Sequence, residues 1–310
     1  VGAAGVSWTR KFVARAREEG WPATAAQVRP DGEGTKLDWN DLLLRHQNWK
    51  GDHEKAPLSD AMLEEYLYNG KITIAEKARD KAKLIYEKTK FASFDFRHDN
   101  RLYWCKVSYD ADQGRSLQVD EIADCAFRLL YRERDDIIDE TNYFLQLDFP
   151  DRPTEKARFS NNACANSGEF KKRLLAFMST WSGSGEQLDR LIRRQTRQLK
   201  TVEPIPFTGY SADHRAWIFG EKAVREGRLV EVNAEKYFDF GKSAVKLRST
   251  ERLLEINYDL DRQNLKWVDD LWTAYGPKGL IALSFFTMSL FAVQIRERHK
   301  SLGFLEITGL

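Results

Sequence analysis

Phe94-Asp95-Phe96-Arg97-His98-Asp99-Asn100-Arg101-Leu102-Tyr103-Trp104-Cys105-Lys106-Val107 is the stretch whose reading decides the class of fold. Two aromatic-rich runs, 94–96 and 102–107, flank the polar His98-Asp99-Asn100-Arg101. Aromatic residues suit a pleated, half-buried surface, and Asp and Asn tolerate the backbone of a tight turn. The stretch predicts a β-hairpin. Set between helical segments, it puts the chain in the α+β class.

Downstream, residues 123–131 and 143–149 also read as strands, separated by a long acidic loop from Arg134-Asp135-Asp136 to Asp139-Glu140. Residues 169–178 and 185–199 read as helices joined by Trp181-Ser182-Gly183-Ser184-Gly185. Short strands follow at 202–209, 216–219, 229–232, 244–247 and 253–257. Their spacing, roughly eight to twelve positions between turns, predicts a compact β-rich sheet. Residues 263–300 form two helices broken at Gly276-Pro277.

Upstream, residues 50–90 read as a charged helical connector. Pro57-Leu58-Ser59-Asp60 opens one helix, Gly70 ends it, and Ala75, Ala78, Ala82 and Ile85 line a second. In residues 1–49, Trp8, Phe12, Val13 and Ala16 share a helical face that Gly20 stops. Gln27-Val28 forms a short strand, 30–34 a loop, and Asp38 or Asn40 caps a further helix. Helix, strand, loop and helix make the closing half of an α/β unit.

Composition narrows the functional classes. At 310 residues, with 42% hydrophobic and 31% charged, the chain has the balance of a soluble globular protein of two or three units. A net charge of +2 names no partner, so a nucleic-acid partner must be argued from local clusters. Cys105, Cys125 and Cys164 show no CxxC spacing, which argues against a disulfide framework or a zinc site and fits a reducing cytoplasm. Residues 280–295 are apolar but fall short of the roughly 20 residues of a membrane span, so a buried helix is expected there.

Several motifs carry possible chemistry. Gly303-Phe304-Leu305-Glu306-Ile307-Thr308-Gly309-Leu310 reads as a buried strand running into a glycine, the way a P-loop begins. Gly241-Lys242-Ser243 lacks the upstream glycine of a phosphate cradle and reads as a turn. Asp110-Ala111-Asp112-Gln113-Gly114 has the spacing of a metal loop but reads as an ordinary polar hairpin loop, so no metal site is expected. The remaining carboxylate pairs read as solvated faces, and the five histidines have no ligand spacing.

The basic signal is local. Arg190, Arg193, Arg194 and Arg197 fall at i, i+3, i+4 and i+7, with Lys200 after them, while Leu188, Leu191 and Ile192 face the core. Lys171, Lys172 and Arg173 add charge on the preceding helix. Such a stripe can neutralise phosphates along a nucleic-acid backbone.

Several stretches together resemble one family. Lys36-Leu37-Asp38-Trp39-Asn40-Asp41-Leu42-Leu43 is similar to the close of a Toprim domain in phage and plasmid primases. The helix over residues 11–20 resembles the Toprim helix after its Asp-x-Asp pair. Gly168-Glu169-Phe170-Lys171-Lys172-Arg173-Leu174-Leu175, Thr208-Gly209-Tyr210 and Trp217-Ile218-Phe219 resemble the domain ahead of the helicase core in the same proteins. His299-Lys300-Ser301-Leu302-Gly303-Phe304-Leu305-Glu306-Ile307-Thr308-Gly309 resembles the run into their Walker A loop. The matches stand in the family's order.

The resemblance implies the central part of a DNA primase–helicase of a mobile element, acting in the cytoplasm. Residues 1–49 would close a Toprim-like domain, 50–90 would be the connector, 91–260 a β-rich middle domain, and 261–310 the approach to a truncated motor. The Toprim acids would lie before Val1 and the Walker A lysine after Leu310, leaving Gly309 as the first P-loop glycine and no catalytic residue in the chain. ATP and Mg are implied for the parent and neither for this part. DNA, single-stranded or a primed template, is the implied partner, with homo-oligomerisation in the parent and no membrane. A second reading, a protein-interaction module without nucleic-acid affinity, rests on the aromatic richness (nine Trp, eleven Tyr, eighteen Phe).

Overall fold

A computed structural model describes residues 3–28, 37–110, 114–136, 138–248, 261, 264 and 266–308. In chain order the helices are α1 Ala3–Glu18, α2 Trp39–Gln47, α3 Asp60–Ile74, α4 Ala78–Thr89, α5 Asn161–Ala165, α6 Ser167–Leu175, α7 Gly185–Thr196, α8 Trp267–Leu290 and α9 Ala292–His299. The strands are β1 Ser93–His98, β2 Arg101–Asp110, β3 Gly114–Ala123, β4 Ala126–Asp135, β5 Glu140–Asp148, β6 Glu155–Ser160, β7 Thr201–Ile205, β8 Gly209–Ser211, β9 Ala216–Phe219, β10 Lys222–Arg225, β11 Arg228–Glu231, β12 Phe238–Asp239 and β13 Ala244–Leu247. The class is α+β, as read from the sequence. Two compact units divide the chain: 1–126 with 147–154 and 167–191, and 127–146 with 155–166 and 192–310.

In the first unit the hairpin forms as expected. β1 pairs antiparallel with β2 from Ser93 opposite Lys106 to His98 opposite Arg101, and Asp99 and Asn100 turn the chain at φ 45° and 58°. β2 then pairs antiparallel with β3 as far as Asp110 opposite Gly114; the rest of the 110–114 motif, residues 111–113, lies outside the described residues. β3 itself was not expected. Its sequence is polar, but Leu117 and Val119 alternate onto a core of Phe94, Phe96 and Cys105. Helix α4 closes that core with the fully buried Ala82, flanked by Ala78 and Ile85 of the face predicted for it, whereas Ala75 lies outside α4 at the end of α3.

Four expectations in the first 90 residues are sharpened or corrected. Asp38 is the cap of α2: its side chain accepts from Asp41 N, and the Asp41 side chain accepts from Asp38 N, a reciprocal capping box. Gln27-Val28 is extended but belongs to no strand; Gln27 N donates to Tyr66 O at 2.8 Å, and Val28 is buried with Leu42 and Tyr66. Gly70 does not end α3, which runs on to Ile74. The backbone of 25–26 packs directly on Gly70, and a Cβ there would run into the Ala25 carbonyl. On α1 the buried stripe passes through Val13, whereas Trp8 and Phe12 are 61% and 69% exposed and pair with each other instead. The loop 30–34 lies outside the described residues.

In the second unit a six-stranded sheet has the order β12-β13-β7-β4-β5-β6, and a four-stranded sheet the order β11-β10-β9-β8. β7 lies parallel to both neighbours, with Arg132 opposite Thr201 and Val245 opposite Glu203. The region expected to fold as one sheet after residue 200 thus feeds two. The acidic loop is shorter than expected, because β4 extends to Asp135 and β5 begins at Glu140. The 241–243 motif is a turn, with Phe240 N donating to Ser243 O at 2.9 Å. The strand expected at 253–257 lies outside the described residues.

The break at Gly276-Pro277 is present as a kink inside α8, where Gly276 takes φ 59° and ψ −146°. The buried helix expected over 280–295 is not found. Residues of α8 are mostly exposed, Ile281 at 56% and Phe286 at 61%, and the chain bends by 79° into α9. Among the described residues no single helix is long and apolar enough to cross a membrane. Residues 301–308 form no strand, and Phe304 and Ile307 are exposed, so the expected buried strand is also absent. Gly309 lies outside the described residues.

Candidate nucleic-acid interface

Helix α6 is anchored by Phe170 and Leu174, both fully buried, with Phe170 meeting Trp181 edge-on at 5.5 Å. This apolar underside turns Lys171, Lys172 and Arg173 outward, and all three are exposed. Lys172 Nζ lies 2.7 Å from Glu169 Oε1, one turn back on the same helix. The Arg173 guanidinium sits over the Phe177 ring at 4.9 Å, a cation–π contact that holds the group.

Helix α7 repeats the design. Leu188 and Leu191 are buried, and Arg190, Arg193 and Arg194 are exposed. Arg190 is held at two points: Nη1 donates to Ser93 Oγ at 3.0 Å, and the guanidinium lies over Trp104 at 5.6 Å. A stacked, hydrogen-bonded arginine surrenders less rotamer freedom when it meets a phosphate than a free one does. Gln195 leaves the surface and accepts from Leu129 N at 2.8 Å.

The helix stops at Thr196 rather than Leu199, so Arg197 lies in the turn beyond it and not on the helical stripe. The reason is the sheet. Lys200 O accepts from Arg132 N at 2.9 Å as the chain enters β7, and the helix must unwind to reach that register. Lys200 is likewise engaged: its Nζ lies 2.7 Å from both Asp239 carboxylate oxygens. Hydrogen bonds from Lys200, aided by Gly241 N, hold the Asp239 carboxyl below its usual range. Lys171, Arg173 and Arg190 in the first unit, and Arg193, Arg194 and Arg197 in the second, are exposed.

Sequence reading missed the groups that orient these cations. Ser93, Trp104 and Asp239 are distant in sequence from the arginines and lysine they hold, and only the strand pairing brings them near. Neither stretch weighed as a phosphate loop forms one among the described residues: 301–308 are irregular, and 237–243 present bulky side chains at the turn. Among the described residues no group of three His, Cys, Asp or Glu is assembled to hold a metal ion.

No family model and no curated protein matches the chain. Among solved structures, the chain is similar to one titled "SCCmec type IV Cch - active helicase", at 11% identity and a TM-score of 0.37. The match covers 67% of this chain and 35% of that one, so the chain spans about a third of the protein it matches.

Proposed function

We propose that this chain is the DNA-contacting central part of a Toprim-bearing primase–helicase, holding a strand for enzymatic sites that lie elsewhere in the parent. The observation that carries the reading is the exposed row Arg190, Arg193 and Arg194 over the buried Leu188 and Leu191, continued by Arg197. Cations fixed on a packed helix release counterions when a phosphate backbone lies across them, without reading base sequence. The ordered sequence resemblance supports the parent's class. ATP and Mg belong to the parent's activity in this reading, and no step of it runs through residues described here.

Fluorescence anisotropy with labelled single-stranded DNA at several salt concentrations tests the reading. Each phosphate neutralised contributes a slope of about −0.7 in log affinity against log salt for a single strand. Arg190→Glu with Arg194→Glu is expected to flatten the slope by about 1.4 and weaken binding at least tenfold. Binding that ignores salt, or a folded double variant that binds like the wild type, defeats the proposal.

The exposed apolar residues of α8, with Trp272, Ile281 and Phe286 each more than half exposed, favour the second reading, a protein-interaction module. Self-association that rises with concentration and is lost in Ile281→Glu supports it. A monomer by light scattering at high concentration removes it.

A further inference from the structure

A second polar site lies in the first unit, in residues that the nucleic-acid reading does not use. A cleft of about 890 Å³ is lined by Arg10 and Lys11 of α1, Lys81 of α4, Arg97 of β1, Asp99 of the hairpin turn, and Asp148. Four cations stand against two carboxylates. Both carboxylates are already taken: Arg10 donates to both oxygens of Asp99, at 3.0 and 3.3 Å, and Arg97 Nη1 lies 2.7 Å from Asp148 Oδ2. Thr154 Oγ1 donates to the other Asp148 oxygen at 2.7 Å.

Lys81 is therefore left without a carboxylate in contact, and among the described residues it makes no salt bridge. Burial, with Arg10 and Arg97 nearby, pushes its ammonium down to about 8, although Asp99 works in the opposite direction. The neighbouring His98 is also lowered, chiefly by burial; its Nε2 lies 3.1 Å from Glu76 O and 3.4 Å from Asp99 Oδ2. A partly buried ammonium beside two guanidiniums, in a cleft wide enough for a small molecule, is a poor structural element and a good anion site.

We propose that this cleft binds a phosphoryl group, with Lys81 as the principal ligand and Arg10 and Arg97 as flanking charges. The phosphoryl group has two sources of the same chemistry, a free nucleotide or the backbone of a nucleic-acid strand. A dianion matches the surplus of two positive charges left by the paired residues. Carboxylate ligands of single charge match it less well.

Arg10, Arg97, His98 and Asp99 face Lys81, and Lys11 and Asp148 line the same cleft; the folded value of about 8 puts the lysine's loss of charge between pH 7 and 9.5, while burial keeps His98 below its ordinary 6.5. A bound anion favours the ammonium, so phosphate affinity is expected to fall about tenfold across that interval. Lys81→Arg is expected to keep binding and lose the pH dependence.

The test is calorimetric titration of the whole chain with inorganic phosphate at fixed ionic strength, followed by displacement. Displacement by ATP alone identifies a nucleotide site, and displacement by a DNA oligonucleotide lacking terminal phosphates identifies a strand site; either supports the cleft. Lys81→Met, checked for an intact fold by circular dichroism, is expected to lose at least tenfold in affinity. Failure of phosphate, ATP and oligonucleotide to bind overturns the proposal, as does a Lys81→Met variant that binds phosphate like the wild type. Arg190→Glu with Arg194→Glu leaves the cleft intact and should not change phosphate binding, so the two proposals fail separately.

Discussion

Gly70 and Ala25 approach so closely that the α-carbon of one lies against the carbonyl of the other. The contact lets the extended segment 21–28 lie along α3, with Gln27 N bonded to Tyr66 O. A methyl group on Gly70 must displace backbone rather than a side chain. Gly70→Ala is expected to destabilise the fold by about 1–3 kcal/mol despite Ala's better helix propensity. Chemical denaturation measures it, and an unchanged midpoint counts against the packing described.

Lys81 offers a stability prediction with the reverse sign of most lysine substitutions. Its ordinary value is 10.5 and its folded value about 8, so between these the unfolded chain holds a proton that the folded chain has released. Stability rises with pH through that window, and below pH 8 the fold carries the full cost of the buried charge, up to about 3 kcal/mol. Lys81→Met is expected to stabilise the ligand-free protein by about 1–3 kcal/mol at pH 7, with the gain shrinking by pH 10. Thermal unfolding at the two pH values decides. A variant that is more stable yet cannot bind phosphate cannot owe the loss to unfolding.

Lys200 and Asp239 form an exposed pair, worth up to about 1 kcal/mol. Because the Asp239 carboxyl is held below its ordinary 3.8, its contribution is present above that value and lost as pH falls through the folded one. Lys200→Ala should remove this acid-limb dependence and barely alter the salt slope of DNA binding, since its charge is already neutralised. A large change in slope would place Lys200 on the DNA after all.

Cys125 and Cys164 are buried and free, and burial pushes their thiols up to about 11 and about 12. Neither should react with a thiol reagent at pH 8 in the native protein, and both should react on denaturation. Rapid native labelling of either, read by mass spectrometry, would contradict the packing.

Local signals were legible in the sequence. The Asp99-Asn100 turn, the Asp38–Asp41 cap, the apolar face of α4 and the Gly276 break each depend on residues within a turn or two of one another. What sequence alone did not disclose depends on partners far along the chain. Gly70 reads as a helix stop until the 25–26 backbone is seen against it. β3 reads as polar until its alternate residues meet Phe94 and Phe96. The exposed arginines were found from their spacing, whereas Ser93, Trp104 and Asp239, which hold the neighbouring charges, were not. The Lys81 cleft was invisible because its cations come from three separated segments.

The position of β7 between β4 and β13 sets an order of events at the ribosome. A chain synthesised only as far as α7 holds β4, β5 and β6 but has nothing to pair with the side of β4 away from β5, which faces water as an open edge. The hairpin of β1 and β2 and its β3 neighbour need no such wait. The first unit's sheet should thus form early, while the larger sheet stays unfinished until residues 201–247 emerge. Truncations ending between 161 and 200 expose that edge, and insolubility of such truncations, relieved when β7 and β13 are restored, is the behaviour this topology dictates.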